Sequence, residues 1–254
     1  MDILLLLSLG ALGAICASFI GVLAERVHTG QSWKRGRSKC NSCREELAAR
    51  DLVPVLSMLW YRGRCRRCGS RVPIAYSVFE LGMGVLFALS YLTLGIGPLL
   101  TFFLLILLTL DFIVMYDLRH MIVPPQASML LSMLVLLYAV VESGVATPGG
   151  IHALGLRILV AGIAGFAFFL LHILSRGRAM GMGDAPVVFA LSLLVGSQTV
   201  AGIMFSFWIG AVIGIIILAR RRGGPTMGIE VPFVPFLALG FLLAYFTQWN
   251  PLPF

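Results

Sequence analysis

Charge is scarce in this chain: only 12% of its 254 residues are Asp, Glu, Lys or Arg, where a soluble domain carries about 25%. Half of the charge that would keep a surface in water is missing, which excludes an ordinary soluble fold. No basic stretch precedes the first apolar run after Met1-Asp2, so that run is expected to remain as a membrane span rather than be removed as a signal. Neither Gly-x-Ser-x-Gly nor His-Glu-x-x-His occurs, and the histidines (His28, His120, His152, His172) show no metal-ligand spacing. Serine and zinc hydrolysis are therefore disfavoured. No aromatic-rich RNA-binding signature accompanies the net charge of +8. The basic excess is read as orientation and contact with anionic lipid headgroups, with no nucleic-acid partner.

What the chain does have is apolar sequence, with a mean hydropathy of +0.97. Eight apolar segments recur, at about 3–23, 76–94, 96–116, 122–142, 151–174, 184–197, 199–219 and 230–248. Most reach the roughly 20 residues that cross a bilayer as a helix. The expected fold is an all-α polytopic membrane protein with about eight transmembrane helices. The sixth segment is short, and with the seventh it is either two spans, a re-entrant hairpin or one broken helix. The expected division is a first span (1–23), a basic loop (24–75) and a transmembrane domain (76–254). The loop holds 12 of the 19 Lys and Arg and four acids, Glu25, Glu45, Glu46 and Asp51, so it carries the whole net charge. Placing it in the cytoplasm also puts Arg119, Arg176, Arg178 and Arg220 to Arg222 on that side. Eighteen of nineteen basic residues then obey one topology, and Arg157 alone falls near the far side.

Four of the five cysteines lie in this loop, as Cys40-x2-Cys43 and, 21 residues on, Cys65-x2-Cys68. Paired knuckles at this spacing are expected to converge four thiolates on Zn²⁺. Lys39, Arg44, Arg64, Arg66 and Arg67 would offset the negative charge of such a centre, and Gly63 and Gly69 would supply tight turns. A closed four-thiolate site has no place for water, so its role would be structural. Disulfides do not suit a reducing cytoplasm. Cys16, alone in the first span, is expected to be a buried apolar residue.

Acids in or beside apolar spans are costly and mark functional sites. Here they are Glu80, Asp111, Asp117, Asp184 and Glu230. In the topology above, Asp117 and Asp184 reach the same face of the membrane. Two adjacent carboxylates that share a proton can divide acid and base roles, as aspartic proteases do. Asp184 follows Gly181-Met182-Gly183, where the glycines are expected to let backbone approach a substrate strand closely and to permit strained dihedrals. Asp117 precedes a helix break at Pro124-Pro125. Asp111 lies six residues earlier, about 9 Å deeper and rotated by roughly 240° on a helix, so it cannot face the same partner. The alternative for Asp117 is a boundary carboxylate paired with Arg119 or Arg220.

These residues, in order, resemble the type IV prepilin peptidases, the bifunctional leader peptidase/N-methyltransferases of bacterial pilus and type II secretion systems. The likeness runs from Ala17-Ser18-Phe19-Ile20 and Glu25-Arg26 through the four-cysteine module, with Asp51-Leu52-Val53-Pro54-Val55-Leu56-Ser57 between its knuckles. It continues through Tyr76 to Glu80, Asp117-x6-Pro124, Gly181-Met182-Gly183-Asp184 and Pro232 to Ala238. The resemblance implies catalytic aspartates at Asp117 and Asp184 and zinc ligands at Cys40, Cys43, Cys65 and Cys68. It implies a prepilin or pseudopilin substrate with a short basic leader ending in Gly, S-adenosylmethionine as methyl donor, and a bacterial inner-membrane location. Glu80 is the acid suspected of serving methylation. Three positions depart from the family: Pro125 where Asp or Asn is frequent, Pro186 where Lys is usual, and Gly21 in place of Asn. The competing class is a membrane scaffold or transporter with a zinc module. Such a protein is expected to place acids near mid-membrane and often to show internal repeats.

Overall fold

The computed structural model describes residues 2–27, 37–40, 42–144, 146–147, 149–178, 180–220 and 231–251. His28, Arg221, Arg222 and Glu230 lie outside the described residues, as does the side chain of Arg220. The helices are α1 (Ile3–Arg26), α2 (Leu56–Trp60), α3 (Ile74–Leu94), α4 (Pro98–His120), α5 (Pro125–Ser143), α6 (Gly150–Leu174), α7 (Asp184–Val195), α8 (Thr199–Arg220) and α9 (Val234–Thr247). Short 3-10 turns occupy Ala49–Leu52 and Gly196–Gln198, and among the described residues only two isolated β-bridges occur. The protein is an all-α, multi-pass membrane protein.

Eight of these helices answer the eight expected segments. Six stretches are long and apolar enough to cross a bilayer: α1, α3, α4, α5, α6 and the run Asp184–Ala219 that joins α7 to α8. The 12 residues of α7 rise about 18 Å, short of the roughly 30 Å hydrocarbon core. Its burial explains how it stays apolar nonetheless: ten of the twelve residues are buried, as for a helix enclosed by others.

The chain divides into two compact units, Met1–Met115 and Tyr116–Phe254. In the first, α1 packs on α3. The buried face of α1 is Gly13, Ala17, Ile20, Gly21 and Ala24, a run of small residues that lets backbones meet where lipid offers no hydrophobic drive. A Cβ on Gly13 would lie 2.6 Å from the Met83 carbonyl oxygen, and one on Gly84 2.9 Å from that of Gly10.

In the second unit α7 packs against α5, α6 and α9, and α8 against α9. The break between α4 and α5 falls where the proline pair predicts it. Met121 takes a left-handed φ of 55°, Pro124 caps α5, and Pro125 begins it, the position at which a missing N–H costs nothing.

Candidate active site and metal knuckle

The last turn of α4 carries Asp117 and the first residue of α7 is Asp184, each about 95% buried (5% and 6% exposed). They lie within electrostatic range of one another. Each carboxylate meets the start of a helix. Asp117 accepts a hydrogen bond from the N–H of Val234, the first residue of α9, and Asp184 Oδ2 accepts the N–H of Gly181 at 3.1 Å. Free N–H groups and the positive end of the helix dipole are what a carboxylate at a membrane boundary has in place of water. The second oxygen of Asp117 has no hydrogen-bond partner. Among the described residues Asp117 makes no ion pair, so the alternative of a simple boundary salt bridge with Arg119 finds no support.

Glycine at 183 serves closeness rather than unusual dihedrals: its φ is −70°, open to any residue. A Cβ there would sit 2.6 Å from the Cβ of Val123. Val123, in the α4–α5 break, thus touches the backbone that presents Asp184. His172 near the end of α6 is within electrostatic range of Asp184, and its Nδ1 lies 2.8 Å from the Met180 carbonyl oxygen. The spacing of the histidines gave no hint of this, because the closeness comes from α6 returning to the same end of the unit. His120 stacks on Tyr116 at 4.3 Å between ring centroids.

Asp111 belongs to the first unit, is 6% exposed, and its Oδ2 has no partner. Glu80 accepts the N–H of Val55 at 2.8 Å. Val55 has φ 60°, a strained conformation for a β-branched residue. The Glu80 carboxylate therefore clamps the loop that leads into α2. Tyr76 donates to Glu25 one turn earlier on α3.

The cysteine loop folds into two matching hairpins. Cys40 N–H donates to Glu45 C=O at 2.9 Å, and Cys65 N–H to Ser70 C=O at 2.8 Å. The turns close by Arg44 N–H to Cys40 C=O and Gly69 N–H to Cys65 C=O, both 2.9 Å. Bridges pair Lys39 with Glu46 and Arg64 with Arg71. The left-handed position is Gly69 (φ 69°) in one hairpin and Arg44 (φ 57°) in the other.

All five cysteines are free thiols, and the sulfurs of Cys40, Cys43, Cys65 and Cys68 lie within 4.8 Å of one another. Four sulfurs about 2.3 Å from a tetrahedral metal stand about 3.8 Å apart, and Cys40 to Cys68 is 3.8 Å. The N–H groups of Cys43 and Ser42, with the Ser70 hydroxyl, lower the Cys40 thiol to about 6. Glu45 N–H pulls Cys43 the same way, yet desolvation and the neighbouring sulfurs push it up to about 11. Four thiolates without a cation between them repel, and a divalent metal removes that penalty. The four cysteines thus form a site that could hold a metal ion. Several of the surrounding cations turn to carboxylates rather than sulfur: Arg67 pairs with Glu45 at 3.2 Å and Lys39 with Glu46 at 3.9 Å.

These features define a polytopic α-helical membrane protein with two buried carboxylates at helix ends and a four-thiol knuckle that could hold a metal ion. Residues 11–94 match the bacterial peptidase A24 N-terminal domain, and residues 101–219 match the type IV leader peptidase family. The prepilin leader peptidase/N-methyltransferase of Bacillus subtilis (strain 168) is 28% identical over 92% of this chain and 90% of its own length. That of Aeromonas hydrophila is 31% identical over 84% of this chain and 74% of its own. For Myxococcus xanthus (strain DK1622) the figures are 32%, 84% and 64%. No solved structure matches. The chain belongs to the type IV leader peptidase family.

Proposed function

We propose that this chain is a membrane aspartic endopeptidase that removes the short basic leader of type IV prepilins or pseudopilins after Gly, and N-methylates the amine so exposed. The observation that supports the peptidase reading is that Asp117 and Asp184, from distant stretches of sequence, are both buried and lie within electrostatic range of one another at one end of the second unit. One carboxylate, unprotonated, takes a proton from water as it attacks the Gly–X carbonyl. The other, protonated, donates to the carbonyl oxygen, and the proton then passes to the leaving amine. The unpartnered oxygen of Asp117 suits a group that must bind water. Val234 and Gly181 N–H groups hold the two carboxylates in place without neutralising them.

In this reading Cys40, Cys43, Cys65 and Cys68 hold Zn²⁺ in a structural role within a module spanning 24–75, and residues 76–254 form the peptidase domain. The loop and the aspartates face the cytoplasm at the inner membrane in this reading, which the charge distribution supports. S-adenosylmethionine would supply the methyl group. Glu80, the acid suspected of serving that step, is engaged with Val55, so no residue is assigned to the methyl donor.

Incubation with a synthetic prepilin in detergent or lipid, followed by mass spectrometry, tests both activities: loss of the leader and gain of one methyl. Asp117→Asn and Asp184→Asn should each abolish cleavage while the protein still reaches the membrane, and Asp111→Asn should keep substantial activity. Normal cleavage by either of the first two variants would sink the assignment.

A further inference from the structure

Twelve residues beyond Asp184, at the opposite end of the second unit, α7 closes over a pocket of about 280 Å³. Glu142 on the last turn of α5, Arg157 on α6, Gln198 after α7, and Tyr245 and Gln248 at the end of α9 supply its polar lining. Arg157 is the single basic residue that breaks the charge rule followed by the other eighteen. It lies seven residues into α6, about 10 Å from its start, at a depth where a guanidinium needs a partner. That partner is Glu142, to which Arg157 Nη1 donates. Gly196, at φ 60°, lets the Arg157 side chain lie close against the turn, since a Cβ there would lie 3.2 Å from Arg157 Nε. Gln198 Nε2 donates to Gln248 Oε1 at 2.8 Å on the rim, and the Tyr138 and Tyr245 hydroxyls meet at 2.7 Å.

The ion pair is not sealed: its side chains keep 29% and 32% of their surface. Both side chains line the pocket, and a guanidinium with five N–H donors and a carboxylate with two oxygens have valences beyond the single contact that joins them. On α6 the neighbouring wall is Ala153, Leu156 and Val160, with Leu156 63% exposed on a membrane-spanning helix. The pocket therefore joins a charged pair to a surface suited to acyl chains. Its volume is below the range of drug-sized sites, about 300–1,000 Å³, and suits a headgroup. One cation and one anion sit side by side, so a headgroup with net negative charge gains from Arg157 and loses to Glu142. A group bearing both charges gains from each.

We propose that this pocket binds the zwitterionic phosphate–ammonium headgroup of a membrane phospholipid, with the phosphate on Arg157 and the ammonium on Glu142. The site is independent of the peptidase reading, and the leader-cleavage assay reports on that reading separately.

The test is thermal unfolding of the full chain in detergent with added short-chain phosphatidylethanolamine, short-chain phosphatidylglycerol or soluble phosphoethanolamine, since a ligand of the native state raises its melting temperature. Phosphatidylethanolamine should give a saturable rise larger than phosphatidylglycerol, and phosphoethanolamine little. Arg157→Gln should lose the rise. Glu142→Gln should reverse the preference toward phosphatidylglycerol, which a merely structural ion pair would not do. Should a single variant misfold, Glu142→Gln with Arg157→Gln leaves no lone charge and should fold without responding to either lipid. Equal rises with both lipids in the natural protein overturn the proposal, as does a phosphatidylethanolamine rise that survives the double substitution. A full rise with phosphoethanolamine alone overturns the membrane lipid as source.

Discussion

At Gly183 a single hydrogen atom decides whether Asp184 can be presented. The glycine-flanked aspartate was legible in the sequence, but its physical reason was not, because the dihedrals are ordinary and the constraint comes from Val123, sixty residues earlier. Gly183→Ala should force the α4–α5 break away from α7, an overpacking cost of roughly 1–3 kcal/mol. A displacement near 1 Å at a catalytic group can cost about 100-fold in rate, so leader cleavage should fall by one to two orders of magnitude. Val123→Gly in the same chain, which removes the Cβ that the new methyl would meet, should restore part of it, and no rescue would show that the loss has another cause. His172, the Val234 N–H and Glu142 were not found by sequence reasoning for a similar reason. Each gains its role from the far end of another helix, and no local spacing records that. Pro186, which stands where Lys is usual in the family, lies within the first turn of α7. A proline is tolerated there, so the departure costs the helix nothing.

The helices themselves were largely readable, since each long apolar run must satisfy its own backbone in lipid. The observed ends lie within a few residues of those expected, and the knuckle spacing foretold the meeting of four sulfurs. What the pattern could not give was which face of each helix packs. In α1 that face follows its small residues, and two glycines of α3 separate packing from composition. Gly84→Val should weaken the α1–α3 pair and lower the melting temperature, because its Cβ would meet the Gly10 carbonyl. Gly82→Ala, with nothing within 4 Å of its Cβ, should be neutral or slightly stabilising, by the helix propensity of alanine, up to about 1 kcal/mol. Equal effects at the two positions would refute this packing. The knuckle makes its own prediction: metal analysis should find about one zinc per chain, the stoichiometry of one four-thiolate site. The Cys40→Ser with Cys65→Ser variant should bind none. An intact protein free of metal would refute the zinc assignment.

Across the whole molecule the charge map and the helix order constrain each other. An even number of crossings between the loop at 24–75 and the turn before Asp184 is needed for both to share a side. The helices α3, α4, α5 and α6 supply four. With the loop cytoplasmic, as proposed, the same count puts the turn between α5 and α6 outside, and with it the Glu142–Arg157 pair. It also puts the α4–α5 break, and so Asp117, on the side of the loop. If α7 and α8 cross the bilayer as one continuous 36-residue stretch, then α9 starts on the far side from Asp184. Yet its first N–H meets Asp117, which belongs with Asp184. The kink at Gly196–Gln198 must therefore act as a reversal, and α7 and α8 run as two antiparallel arms. Single cysteines in a chain whose five cysteines are replaced by serine can decide this with a membrane-impermeant thiol reagent on intact cells. Ser197→Cys and Thr147→Cys should label from outside. A cysteine at Arg176, Ala219 or Pro232 should label only after the membrane is opened. Labelling of position 219 from outside would mean that α7 and α8 make a single crossing, and the start of α9 could not then reach Asp117.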